Sequence, residues 1–159
     1  VVADTKQAEK GRFRDAWPYV AAIVIPLTLL VVFTSVKPYK AHMVKDEVAV
    51  IQAIRTLHSA QIQYKSQFGA YATTLSQLGP PASGGPSAQA ADLIPASLAN
   101  GDKYGYTFTL TATPTGYTIN ANPKVYNSTG RRTFFSDQNM TIRQHWGQEP
   151  ATATSNELK

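Results

Sequence analysis

A chain of 159 residues with a net charge of +5 and a mean hydropathy of −0.23 has room for one apolar span and one small domain of about 100 residues. It contains no cysteine, which excludes disulfides and thiolate metal sites while leaving the compartment open. The charge is modest and dispersed, so contact with anionic lipid or an acidic partner is expected ahead of nucleic acid.

Residues 1–16 mix Lys6, Lys10, Arg12 and Arg14 with Asp4, Glu9 and Asp15 without periodicity, and read as a polar tail. From Trp17 to Val36 no Asp, Glu, Lys, Arg, His, Asn or Gln interrupts the apolar run. About 20 such residues is what a helix needs to cross the roughly 30 Å hydrocarbon layer of a bilayer. A signal-peptide core is typically about 7–15 residues, so residues 17–36 are expected to form an uncleaved transmembrane helix. Trp17, Tyr19 and Tyr39 are aromatics suited to headgroup level, Phe33 lies within the apolar body, and Pro26 and Pro38 each predict a bend. The span holds no histidine that could ligate haem or chlorophyll, and His42 just beyond it reads as a solvated or headgroup contact. Lys and Arg are nearly balanced across the span, with a lean towards a cytoplasmic N-terminus.

From Ala41 to Phe68 apolar residues recur at Val44, Val48, Ile51, Ile54, Leu57, Ile62, Tyr64 and Phe68, mostly at steps of three and four. This spacing predicts an amphipathic helix continuing from the span, with Gly69 as its left-handed stop. The stretch from Gly79 to Gly85 is a loop by composition. Two short helical turns are expected at Ser87–Ile94 and Pro95–Gly101, with Leu75, Leu78, Leu93, Ile94 and Leu98 anchoring the connection. The last third alternates with period two. Tyr104–Thr111 and Tyr117–Ala121 predict one hairpin, Arg131–Ser136 and Met140–Trp146 a second.

The fold class expected is therefore α+β, with a single transmembrane helix running into an amphipathic helix packed on a four-stranded antiparallel sheet. Val48, Ile51, Ile54, Leu57 and Ile62 from the helix would meet Phe108, Ile119, Phe134 and Ile142 from the sheet. The soluble domain would occupy residues 37–147 and a polar C-terminal tail residues 148–159.

The chemistry-bearing patterns are few. There is no phosphate-cradling Gly-Lys-Ser/Thr loop, no His-Glu-x-x-His and no Gly-x-Ser-x-Gly, and His42, His58 and His145 lie far apart with no acid or nucleophile at a telling distance. No catalytic residue, cofactor, metal or small-molecule substrate is expected. His58, among Ile54, Leu57 and Ile62, reads as a buried or boundary histidine rather than a general base. Arg131, Arg132, Arg143 and Trp146, with Tyr126, form a candidate partner or anion face; solvated strand faces are the plainer reading, and nucleic acid is not the expected ligand. Asn127-Ser-Thr129 and Asn139-Met-Thr141 match the glycosylation sequon, a pattern that arises often by chance.

Glu47-Val-Ala-Val-Ile-Gln-Ala-Ile-Arg-Thr-Leu-His-Ser-Ala-Gln61, Phe68-Gly-Ala-Tyr71, Gly105-Tyr-Thr-Phe-Thr109, Gly116-Tyr-Thr-Ile-Asn-Ala121 and the stretch from Asp137 to Arg143 resemble the soluble part of bacterial type IV pilins and the pseudopilins of type II secretion. The resemblance covers roughly Glu47 to Arg143 and implies a long helix against a four-stranded sheet. The family's processed apolar N-terminus with its early glutamate has no counterpart here, since Gly11 is followed by Arg12-Phe13-Arg14-Asp15 and no acid lies between Trp17 and Val36. The combined expectation is a non-catalytic, single-span accessory subunit of a larger bacterial membrane complex. It would be anchored in the inner membrane with a periplasmic pilin-like domain, and would have lipid and other transmembrane subunits as partners. Which complex is not written in the residues; an energy-transducing or photosynthetic assembly is one guess. The alternative is a minor pilin or pseudopilin of a pilus or secretion machine.

Overall fold

The computed structural model describes residues 42–159. Within them, a helix over residues 42–68 (α1) lies against an antiparallel sheet, and the connection between them carries two single-turn helices, α2 (Leu75–Leu78) and α3 (Ala96–Ala99). At 1.5 Å per residue, residues 42–68 make α1 about 40 Å long. It ends where Gly69, at φ +80°, donates its N–H to the Lys65 carbonyl at 2.8 Å, a conformation that glycine adopts without a Cβ penalty.

Buried positions on α1 are Met43, Glu47, Val50, Ile54, Leu57, Gln61 and Tyr64, stepping four, three, four, three, four and three residues, with Ile51, Ala53, His58 and Ala60 beside them. This stripe packs on Tyr106, Phe108, Leu110, Tyr117, Ile119, Ala121, Phe134 and Ile142 of the sheet, with Leu75, Leu78, Ile94 and Leu98 closing one end. Two of the helix residues expected in this core are corrected. Val48 is 51% exposed and Ile62 53% exposed, because they sit about 100° round the helix from the buried line.

The sheet has six strands, not the four expected: β1 (Asp102–Lys103), β2 (Tyr106–Ala112), β3 (Tyr117–Pro123), β4 (Arg132–Asp137), β5 (Arg143–Trp146) and β6 (Asn156–Glu157), paired in chain order and all antiparallel. The extra strands are two-residue edges, too short to show alternation. β5 starts at Arg143 rather than Met140 because Met140, at φ +62°, ends the turn after β4. Residues 87–94 are not a helical turn either. Ser87 and Ala90 bridge each other, and Ala91, Leu93 and Ile94 donate their N–H groups to the carbonyls of Gln77 and Leu78.

The C-terminal residues expected as a tail form a strap across the other face of the sheet. Thr133 and Phe135 are buried there, Thr133 Oγ1 donates to the Glu149 carbonyl at 2.7 Å, and Asn120 Nδ2 to the Ala151 carbonyl at 3.1 Å. The chain then turns back as β6, and the Leu158 N–H reaches the Ile142 carbonyl at 2.9 Å. A sheet buried on both faces at β4 needs this second cover.

Among the described residues no helix is long and apolar enough to cross a membrane. This corrects the single-span fold class and the single-pass inner-membrane placement expected from the residues. The Trp17–Val36 stretch on which both rested, with Trp17, Tyr19, Pro26, Phe33, Pro38 and Tyr39, lies outside the described residues.

Candidate functional site

Three polar side chains are buried on the inner side of α1; Glu47 and His58 find their partners in and beside the sheet, far along the chain, and Gln61 in the loop that follows the helix. Glu47 Oε1 accepts the Arg131 N–H at 2.8 Å and the Arg132 N–H at 3.3 Å, while Oε2 takes Arg132 Nε and Nη2, both at 2.8 Å. Arg132 also donates Nη1 to Gln144 Oε1 at 2.8 Å, and its guanidinium carbon lies 5.4 Å from the Phe134 ring centre and 5.2 Å from that of Trp146. The fork geometry of arginine matches the carboxylate edge, so helix and strand are locked at one register. Gln61, fully buried, holds both backbone groups of Ala72: its Nε2 donates to the carbonyl and its Oε1 accepts the N–H, each at 2.9 Å.

His58 lies between them. Its Nδ1 is 2.7 Å from Tyr117 Oη and its Nε2 is 2.8 Å from Ser136 Oγ, with all three side chains buried. Ser136 donates its single proton to the Thr141 carbonyl at 2.9 Å. Its oxygen must therefore accept from Nε2–H, which leaves Nδ1 to accept from the tyrosine. The chain Tyr117 to His58 to Ser136 to Thr141 runs in one direction, opposite to that of a base withdrawing a serine proton. Burial pushes the His58 pKa below its ordinary value of 6.5, an effect only partly offset by the negative charge of Asp137. Burial likewise raises the Tyr117 phenol well above its ordinary value, keeping it a donor.

The face proposed from Arg131, Arg132, Arg143 and Trp146 is not one surface. Arg132 is taken by Glu47 on the helix side of the sheet. Arg143 pairs across from Phe135 on the strap side and is held by the Ser155 carbonyl at 2.9 Å and Glu157 at 3.0 Å. Arg131 and Trp146 are exposed, the latter capping Arg132. Tyr126 sits in the bridged turn opposite Gly130. Among the described residues no group of three or more His, Cys, Asp or Glu side chains could hold a metal ion.

A different surface is assembled by the fold. Between α1 and the β4–β5 turn runs an open cleft of about 400 Å³ lined by Arg55, His58, Ser59, Met140, Thr141, Ile142 and Leu158. On the helix side of this cleft Val44, Val48 and Ile62 are exposed, and on the sheet side Met140 is exposed. Trp146, 64% exposed, lies beside the Arg132 that Glu47 holds. Of the eight large apolar side chains left exposed among the described residues, Val44, Val48 and Ile62 share by helix periodicity the side of α1 that carries Arg55, and Met140 lines the cleft with Arg55. Sequence reading missed Glu47, Gln61, Arg55 and Met140. The three-four spacing of Met43, Glu47, Val50, Ile54, Leu57, Gln61 and Tyr64 was the signal for the first two. Met140 carried none.

Compared with protein-family models, curated proteins and solved structures, the chain gives no match.

Proposed function

We propose that this chain is a non-catalytic structural subunit that docks, through the flank of α1 beside β5, into a larger protein assembly. The observation that carries this reading is the exposure of Val44, Val48 and Ile62 on the one side of α1 that carries Arg55, with Met140 exposed in the cleft that Arg55 lines. Scattered apolar residues on a surface need no explanation, whereas a contiguous set marks an interaction site. Two further points support it. The buried histidine and serine are committed to a one-way hydrogen-bond chain that joins helix to sheet. The resemblance of Glu47–Arg143 to pilin-like proteins also points to a class whose soluble domain serves assembly. A filament subunit of that class is the second reading, favoured by the long helix against a sheet paired strictly in chain order.

The test is the double variant Val48→Ser, Ile62→Ser. Both side chains are more than half exposed, so the melting temperature should stay that of the parent chain, while co-sedimentation with the native assembly is lost. A parent chain that sediments alone from its native extract would sink the docking reading. Recovery of the chain in sheared fibres would select the filament one.

A further inference from the structure

Val44, Val48, Arg55 and Ile62 are separated by four, seven and seven residues, so they fall on one exposed line along α1, and Arg55 lines the cleft. Arg55 is seven residues from Val48 and seven from Ile62, which places an aliphatic side chain about 10.5 Å to either side of the charge. The ion pairs among the described residues are Lys124 with Asp102, Arg132 with Glu47 and Arg143 with Glu157, and Arg55 is in none of them. We infer that this flank receives an amphipathic helix of another protein, carrying a carboxylate that seats on Arg55 between aliphatic side chains that seat on Val48 and Ile62. The inference rests on the docking reading above and names its partner's chemistry.

Three arguments select this occupant. A seven-residue repeat of apolar, cationic and apolar positions is matched by a second helix packed nearly parallel or antiparallel, whose own seven-residue repeat brings side chains to the same 10.5 Å interval. A second copy of this chain fits poorly. A two-fold contact between antiparallel α1 helices centred on this line would set Val48 against Ile62 but Arg55 against Arg55, leaving two like charges in an apolar contact. An uncharged apolar partner would strand the guanidinium without an acceptor, whereas a carboxylate satisfies it in its preferred forked geometry.

The experiment uses the full chain and a labelled synthetic amphipathic helix of about 20 residues, with leucines seven positions either side of one central glutamate, read by fluorescence anisotropy. Binding should weaken at least about tenfold when the central glutamate is replaced by lysine, and Arg55→Glu should exchange the preference, losing the glutamate peptide and gaining the lysine one. Equal binding of the two peptides, or a preference that Arg55→Glu does not exchange, overturns the inference. In the native assembly, a photo-crosslinker at position 62 should join a carboxylate-bearing helix of another protein. A crosslink to a second copy of this chain overturns the inference. If Arg55→Glu leaves the chain in its assembly while Val48→Ser with Ile62→Ser removes it, the partner inference fails and the docking reading stands. Retention of both variants ends both.

Discussion

The two sides of α1 each carry exceptions to the usual partition of residues, within an inner side that is mostly apolar and an outer side that is mostly polar. The side against the sheet buries Glu47, His58 and Gln61, while the side along the cleft leaves Val44, Val48 and Ile62 in solvent. The desolvation cost of burying a polar group is offset when its partners are already in place, and here the sheet and its approach supply them: two backbone N–H groups and a guanidinium for Glu47, a phenol and a serine for His58. Apolar exposure has no such internal compensation. The hydrogen bonds and ion pair of the inner side hold helix to sheet, and the proposed docking rests on the outer side.

Changes on the two flanks should separate accordingly. The largest effect is expected from Glu47→Ala, which leaves Arg132 without its carboxylate, held only by Gln144, and two backbone N–H groups unpartnered in a nearly closed space; chemical denaturation should show a loss of about 3–5 kcal/mol. Glu47→Ala costing under about 1 kcal/mol would mean that the ion pair does not hold helix to sheet. Next is Gln61→Ala, which strips both backbone partners from Ala72 and leaves a small void, for about 2 kcal/mol by the same measurement.

A pH dependence should follow from His58. Its folded pKa lies below the unfolded value of 6.5, so the unfolded chain binds the proton more readily. The stability it contributes is complete above pH 6.5 and is lost as pH falls through the folded pKa. Protonation would also turn Nδ1 from acceptor to donor against the tyrosine. Melting temperatures recorded downward from pH 7.5 should decline in this window for the parent chain and decline less for His58→Gln; identical profiles would assign the acid sensitivity elsewhere. The smallest effect on stability belongs to the outer flank, where Val48→Ser with Ile62→Ser should stay within about 0.5 kcal/mol and change association alone.

The strands β2 and β3 announce themselves by alternation, since Tyr106, Phe108 and Leu110 point to the helix while Thr107, Thr109 and Thr111 do not. β1 and β6 have two residues each and no readable pattern. β6 exists because β5 offers an open edge and the strap delivers the chain to it. The strap itself is written in Ala, Thr, Ser and Pro, a composition indistinguishable from a solvated tail until Thr133 and Asn120 are seen to need its carbonyls. On α1, ranking positions by hydrophobicity selects Val48 and Ile62 and passes over Glu47 and Gln61. Ile51, Ile54 and Leu57 are placed correctly by the same ranking, so the error is confined to those four positions.

By itself the amino-acid sequence determined the long amphipathic helix, its stop at Gly69 and the period-two strands that follow, because backbone periodicity and glycine's freedom at positive φ are local properties. Which polar side chains of that helix go inward, how many strands the sheet has, what the last twelve residues cover and where Arg55 comes to lie were decided only in the tertiary structure. Each depends on a partner dozens of residues away: Arg132 for Glu47, Tyr117 and Ser136 for His58, and the Met140 turn for the cleft. A buried polar side chain is stable only where such a partner stands, and no local pattern encodes the distance at which it will be found.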